Sequence, residues 1–223
     1  MKIYNLQKTL DKFTLQIDRL DIRQGKIYGI VGPNGCGKTT AMKIMAGVME
    51  PDSGHIDYES LTSRDITMTF RKPYLIHDTV YKNLIYPLKL RKIKPNNELV
   101  DHFLELAGLQ ELRNQYAPTL SSGEQQKLSL IRALIFEPDL IFVDESLSNM
   151  DIESVAVFED YILEMQKKKP ITWVIISHQL SNIKRLCEHV FFMHEGIIKE
   201  SGSVDELLVK STSEEVKRYL QYT

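Results

Sequence analysis

A glycine-rich segment that ends in a lysine and a threonine has the clearest chemistry in the sequence. It spans residues 32–39 and reads Gly-Pro-Asn-Gly-Cys-Gly-Lys-Thr. Glycines allow backbone N–H groups to curve round phosphate oxygens because no Cβ stands in the way. In the pattern G-x-x-x-x-G-K-[ST], the lysine reaches the β- and γ-phosphates and the hydroxyl binds Mg²⁺. The segment therefore predicts a loop that binds nucleotide phosphates.

The residues on either side of the loop predict the elements that must position it. An apolar run, Ile27–Val31, leads into the loop, and residues 39–45 have a helical pattern that Gly47 can end. A helix that begins at the loop points its positive end at the same anion. We therefore predict Lys38 as a catalytic cation and Thr39 as a metal ligand. The predicted nucleotide-binding residues here are Gly32, Pro33, Asn34, Gly35, Cys36, Gly37, Lys38, Thr39 and Thr40.

Cys36 lies inside the loop and has two interpretations. It is a small residue that fits the loop, which is the favoured interpretation. Alternatively, the phosphate-binding amides lower the pKa of its thiol and make it reactive toward alkylating agents.

Polar residues also follow two apolar runs further along the chain. Asp144 and Glu145 follow the run Leu-Ile-Phe-Val at 140–143, and His178 comes just after the run at 171–176. Alone, an acidic pair at a strand end is usually a polar boundary, and a histidine there is usually a cap or a core residue. With a phosphate loop upstream, Asp144 is predicted to hold Mg²⁺ and Glu145 to activate the attacking water. His178 becomes a candidate sensor of the γ-phosphate.

Residues 120–127, Leu-Ser-Ser-Gly-Glu-Gln-Gln-Lys, resemble the signature sequence of ABC transporter ATPases, usually L-S-G-G-Q. The motifs follow one another in the family's order: the phosphate loop, the signature, Asp144 with Glu145, and His178. The resemblance covers roughly residues 2–205. It implies that Ser121 and Gly123 bind the γ-phosphate of an ATP held by a second copy. Ser121 and Glu124 also fit a capping box, so the alternative is a helix cap only.

The resemblance implies a head-to-tail homodimer that sandwiches two ATP molecules with Mg²⁺. Asp151 matches the aspartate that the family places at that dimer contact. The chain departs from the family at three positions that bear on hydrolysis and binding. Arg71 stands in the slot of a glutamine that offers an oxygen to Mg²⁺, which arginine lacks. Glu124 replaces a glutamine, and Leu10 stands where an aromatic residue usually stacks on adenine, with Phe13 close by.

Strand-like and helical runs alternate, which predicts an α/β fold. The expected fold is a P-loop NTPase core with a mainly parallel sheet, an N-terminal antiparallel β part and an inserted helical lobe. We expect one ABC ATPase domain over 1–223, with the core at about 1–78 and 137–223 and the helical subdomain at about 79–136. The last twenty residues are expected to be helical.

Composition limits the partners. The net charge is -2 and the pI is about 6.3, which argues against nucleic acid as a partner. No apolar run approaches the roughly 18 residues that span a bilayer, and residues 1–5 lack a signal-peptide core. The two cysteines offer no disulfide framework. We therefore expect a cytoplasmic protein, and the resemblance implies that it is peripheral on the inner face of the cell membrane.

The expected function is ATP hydrolysis that energises separate integral membrane permease subunits. Import of a small solute such as an oxyanion, with a solute-binding protein as a candidate partner in the same system, is the first choice. The open alternatives are an exporter or lipoprotein-release subunit, and a nucleotide-dependent binding module with little hydrolysis, which Arg71 and Glu124 favour. A soluble ABC ATPase of DNA repair or translation would usually carry coiled-coil insertions or basic surfaces, which the sequence lacks.

Overall fold

The computed structural model describes residues 1–148 and 150–221. Nine strands in these residues form one sheet with the order β4-β1-β2-β9-β8-β3-β7-β6-β5. The strands are β1 (Lys2–Leu10), β2 (Phe13–Asp21), β3 (Ile27–Val31), β4 (Ser53–Asp57), β5 (Ile66–Thr69), β6 (Leu140–Asp144), β7 (Thr172–Ile176), β8 (His189–His194) and β9 (Ile197–Ser203).

The sheet has a parallel centre and an antiparallel N-terminal part. Strands β5, β6, β7, β3 and β8 pair in parallel, whereas β1 pairs antiparallel with both β2 and β4. Strand β9 returns antiparallel to β8 and meets β2 in parallel at one position, Gln16 opposite Ile197. Every residue of β3, β6 and β7 is buried, as continuous apolar runs between two layers require. The mainly parallel α/β sheet and its antiparallel part are confirmed.

Eight α-helices in the described residues cover the sheet and form the inserted lobe. They are α1 (Lys38–Met45), α2 (Val80–Arg91), α3 (Asn97–Leu106), α4 (Ser122–Leu134), α5 (Ile152–Lys168), α6 (Leu180–Leu186), α7 (Val204–Leu208) and α8 (Glu214–Gln221). Helices α2, α3 and α4 lie between β5 and β6 in the chain, so a helical segment is inserted there. The division at about 79 and 136 stays a prediction.

One edge of the sheet collects the candidate residues. In parallel strands the carboxyl ends lie at the same edge, and here Ile30 of β3 and Asp144 of β6 both pair with Ile176 of β7. The loop at 32–39 follows β3, Glu145 follows β6 and His178 follows β7 by two residues. Three segments that are distant in sequence therefore meet at one place.

Candidate functional site

A cavity of about 320 Å³ opens at this edge, beside the N-terminus of α1. It is bounded by the glycine-rich loop, by the acidic end of β6 and by side chains from two other parts of the sheet. The lining residues are Phe13, Asn34, Gly35, Gly37, Lys38, Thr39, Thr40, Arg71 and Glu145.

The loop backbone needs glycine at its two ends. Gly37 is the residue before α1 and has φ 104°, a left-handed conformation that favours glycine. Gly32 has φ 148°, and a Cβ there would overlap the carbonyl oxygen of Met193. The helix α1 thus begins at Lys38 with its first backbone N–H groups at the cavity. Such an N-terminus attracts anions.

Lys38 is held inside the loop rather than in solvent. Its side chain is buried, and its Nζ donates to the carbonyl oxygens of Gly32 at 2.7 Å and Pro33 at 2.8 Å. A buried ammonium is costly unless it is hydrogen-bonded, so these two bonds are part of what keeps the loop in this shape. The lysine therefore places a positive charge against the floor of the cavity, where the sequence predicts phosphate oxygens.

Two oxygen donors meet where the metal is predicted. The Thr39 hydroxyl donates to Asp144 Oδ1 at 3.1 Å. Burial raises the pKa of Asp144, and the bond from Thr39 opposes that rise. The described residues contain no group of three or more His, Cys, Asp or Glu side chains that could hold a metal. Mg²⁺ is usually held by one or two carboxylates together with water and substrate phosphates. Thr39 and Asp144 fit that donor set.

Glu145 lies between two basic side chains, those of His178 and Arg71. His178 Nε2 lies 2.7 Å from Glu145 Oε1, and Arg71 Nε lies 3.2 Å from Glu145 Oε2. The Glu145 backbone has φ 52°, and its N–H donates to the Ile176 carbonyl oxygen at 3.0 Å. A left-handed conformation is uncommon for glutamate and is typical of functional positions. The geometry brings Glu145, His178 and Arg71 together.

The signature residues lie elsewhere in the fold. Ser121 caps α4, its Oγ accepting from the Glu124 N–H at 3.3 Å, while Glu124 Oε2 accepts from the Ser121 N–H at 2.8 Å. The predicted capping box is present, and it engages the Glu124 carboxylate. Neither Ser121 nor Gly123 lines the cavity that holds the phosphate loop. Their predicted contact with a phosphate therefore requires a second copy of the chain.

Asp151 is placed beside the signature helix. Its carboxylate caps α5 by accepting from the Ser154 N–H at 2.7 Å, and it lies 3.4 Å from Lys127 Nζ of α4. The bonds from Ser154, aided by Lys127, lower the pKa of Asp151 to about 2. Asp151 therefore stays ionised at any ordinary pH and links the start of α5 to the middle of α4.

Two aromatic residues of the site region were not predicted from the sequence. Phe13, rather than Leu10, lines the cavity, and a Cβ at Gly37 would lie 2.6 Å from its Cζ. Tyr219 of α8 packs its ring 5.5 Å from that of Phe192, and it hydrogen bonds with the Gly32 backbone. The apolar spacing of Val216, Tyr219 and Leu220 at i, i+3 and i+4 indicates a packed helix, but not its partner.

Cys36 is buried, and burial raises the pKa of its thiol, although nearby Lys38 acts in the opposite direction. The alternative of a lowered pKa is thus wrong. A raised pKa leaves less thiolate than a free cysteine has at neutral pH, and the thiolate is the reactive form.

We therefore expect Cys36 to be alkylated slowly by iodoacetamide at pH 7.4 in the folded protein. Intact mass should show both cysteines modified only after denaturant is added. Rapid single modification of the folded chain, mapped to Cys36 by peptide mass, would contradict this expectation.

Comparison with known proteins adds to the geometry. A family profile described as ABC transporter matches residues 15–148. The tungstate uptake system ATP-binding protein TupC of Peptoclostridium acidaminophilum is 35% identical over 206 residues, which cover 89% of this chain and 96% of that protein. The molybdate/tungstate import ATP-binding protein WtpC of Pyrococcus horikoshii is 31% identical, covering 100% of this chain and 67% of its own length.

Other relatives are longer than this chain. The methionine import ATP-binding protein MetN 1 of Listeria monocytogenes is 31% identical over 90% of this chain, but the match covers 64% of that protein. Among solved structures, an ATP-binding subunit of an ABC transporter superposes with a TM-score of 0.86 at 21% identity, covering 99% of this chain and 98% of that one. A dimeric ATP-binding cassette bound to ADP and phosphate superposes with a TM-score of 0.80 at 23% identity, covering 91% and 98%.

Proposed function

Because this chain belongs to the ABC transporter family of ATP-binding proteins, we propose that it is the ATPase subunit that energises a separate membrane permease. The observation that carries the proposal is the meeting of the phosphate loop, the Thr39–Asp144 pair and the Glu145–His178 pair at one edge of the sheet. The described residues contain no helix long and apolar enough to cross a membrane. The proposed location is the inner face of the membrane, on a permease.

Each residue of the cavity has a distinct proposed role. Lys38 and the loop amides bind the β- and γ-phosphates, and the oxygens of Thr39 and Asp144 hold Mg²⁺. The metal supplies charge that offsets the phosphate oxygens. Glu145 accepts a proton from the attacking water, and His178, whose Nε2 lies against Glu145 Oε1, is the proposed sensor of the γ-phosphate. In-line attack then releases phosphate and ADP.

The proposed active unit is a homodimer. Ser121, Gly123 and Asp151 are outside the cavity of their own chain, so one chain alone lacks part of the site that the family resemblance implies. Two copies placed head to tail bring the start of one α4 to the phosphate loop of the other. That helix end is capped by Ser121 and favours an anion.

The proposed transported solute is an oxyanion of the tungstate or molybdate type. The support is the similarity to TupC, which the chain matches over almost its whole length. The proposed docking surface for the permease is the segment 71–87, where the aromatic side chains of Tyr74 and Tyr86 are exposed. Exposed aromatic residues are enriched in protein interfaces. A solute-binding protein is the expected third component.

The proposal is tested by affinity purification from membranes. An affinity-tagged chain is produced in its native cells, and their membranes are solubilised in mild detergent. We expect the permease to copurify, MgATP hydrolysis to rise when both are present, and tungstate uptake by vesicles to require ATP. Failure of the permease to copurify, a rate of ATP hydrolysis that is the same with and without the permease, or uptake that is unaffected by deleting the chain would contradict the proposal.

A second candidate, a nucleotide-dependent binding module with little hydrolysis, is favoured by the Arg71–Glu145 contact, which occupies the predicted base. The two candidates differ in the effect of Glu145→Gln, because a module that does not hydrolyse ATP has no rate to lose.

Phe13 is the proposed platform for adenine. Replacing Phe13 with Ala is expected to weaken ATP binding by about fivefold, because stacking on an aromatic ring contributes roughly 1 kcal/mol or more per base. Titration calorimetry on Phe13→Ala, Phe13→Trp and the neighbouring Leu10→Ala measures this. Phe13→Trp and Leu10→Ala should bind ATP as wild type does. Equal loss in Leu10→Ala and Phe13→Ala would show that the strand end, not the ring, matters.

A further inference from the structure

Arg71 is the residue by which this site departs most from its family. Its side chain is 69% exposed, yet its Nε lies 3.2 Å from Oε2 of Glu145, whose side chain is 8% exposed. The guanidinium makes no other ion pair or hydrogen bond within residues 1–148 and 150–221. With His178 at Oε1, each oxygen of the Glu145 carboxylate faces one basic side chain, and Oε2 is buried without a hydrogen-bond partner among the described residues. Because Oε2 is closed off from solvent, a water molecule reaches it only when a neighbouring group moves.

The backbone of Arg71 is attached to the helix that carries the signature. The buried amide of Gln126, on α4, donates to the Arg71 carbonyl oxygen. One turn and a half further along α4, Arg132 Nη2 donates to the Tyr74 carbonyl oxygen at 2.7 Å. Two side chains of α4 therefore hold the segment 71–74. Any displacement of α4 relative to the sheet must move this segment with it.

Glu145, in contrast, is attached to the central sheet. Its backbone N–H is bonded to the Ile176 carbonyl oxygen of β7 at 3.0 Å, so it belongs to the central sheet. The ion pair between Arg71 and Glu145 thus spans the junction between the helical segment and the sheet. A contact in that position changes when the helical segment moves relative to the sheet, whereas a contact within the helical segment or within the sheet does not.

We propose that Arg71 is a positioning residue that restrains Glu145 until α4 moves, so that the signature helix controls access of water to the base. The inference rests on the proposed ATPase function and deepens it. When α4 and the segment 71–74 stay in place, Arg71 holds Oε2. When they shift, the ion pair opens and Glu145 is free to accept a proton from water. Arginine can do this, and the family's neutral glutamine cannot form the ion pair.

The test is steady-state ATP hydrolysis by the purified chain without permease. Arg71→Gln is expected to raise kcat about fivefold, the change expected when a partly exposed ion pair is removed, with KM for ATP within about twofold of wild type. Arg71→Lys keeps a charge on a flexible stem and should give an intermediate kcat. Arg64→Gln, an exposed arginine elsewhere, should match wild type. An unchanged or lower kcat in Arg71→Gln, or a KM raised more than fivefold, overturns the proposal.

The link through α4 is tested in the same assay. Gln126→Leu removes the hydrogen bond to the Arg71 carbonyl oxygen and should also raise kcat. The double variant Gln126→Leu/Arg71→Gln should be no faster than Arg71→Gln alone, because both substitutions act on the same Arg71–Glu145 contact. Additive increases overturn the link. Far-ultraviolet circular dichroism melts confirm folding of each variant. If neither wild type nor any variant hydrolyses ATP while calorimetry shows ATP bound, the proposed function fails, and not this inference alone.

Discussion

Glu145→Gln is expected to lower the rate of ATP hydrolysis by about 10²–10⁴-fold, the range by which a general base accelerates a reaction. The amide keeps the shape of the side chain and its bond to His178, but it cannot accept the proton of the attacking water. The phosphate loop and the Thr39–Asp144 pair are untouched, so the Kd for ATP should change by less than about threefold.

The rate of phosphate release measures hydrolysis, and titration calorimetry on the same samples measures the Kd for ATP, so the two quantities are obtained separately. The matched control is Glu164→Gln, an exposed glutamate of α5 that is remote from the cavity, which should hydrolyse ATP at the wild-type rate. A Glu145→Gln variant that hydrolyses ATP at one tenth of the wild-type rate or faster would remove Glu145 from the role of base. A similar, very low rate in wild type and variant would favour the binding module.

Lys38→Ala is expected to weaken ATP binding by about 10–100-fold, because a hydrogen bond to a charged group contributes roughly 1.5–3 kcal/mol. The buried Nζ donates to the carbonyl oxygens of Gly32 and Pro33. Among the described residues, Lys38 is the only lysine that lines the cavity. Removing it leaves those two oxygens without their donor and the phosphates without their nearest charge. The same variant should therefore also be less stable.

Calorimetric titration with ATP measures the loss, and thermal unfolding without nucleotide measures the cost to the loop. Lys184→Ala, an exposed lysine of α6, is the control and should change neither. If Lys38→Ala binds ATP within threefold of wild type, the phosphates do not lie where the loop predicts. If it is merely unfolded, Lys38→Met, which keeps the apolar stem, tests the charge alone.

Local patterns predicted the elements that hold the site. The helix predicted at 39–45 is α1, which begins one residue earlier, and the capping box at Ser121 and Glu124 is formed. The buried runs of β3 and β6 end at the residues where the chemistry begins. Each of these features depends on neighbours within a few residues, and so it is readable from the chain itself.

Such local patterns do not predict contacts between segments that are distant in sequence. The contact of Arg71 with Glu145 joins residues that are far apart in sequence, so no local pattern reports it. Phe13 takes the place expected for an aromatic at Leu10, because β2 begins at Phe13 and carries its ring against Gly37. Tyr219 reaches Gly32 from the last described helix. The pKa of the Cys36 thiol depends on how deeply the side chain is buried. The spacing of apolar residues predicts burial in helices and strands, but not in a loop.

The dimer is the central claim, because the proposed phosphate contact of the signature residues needs the phosphate loop of a second chain. Sedimentation velocity of Glu145→Gln with and without MgATP tests it most directly, because this variant should hold ATP without consuming it. We predict the mass of two chains with one ATP bound per chain, and the mass of one chain when ATP is omitted. A single chain at full ATP occupancy would contradict the account.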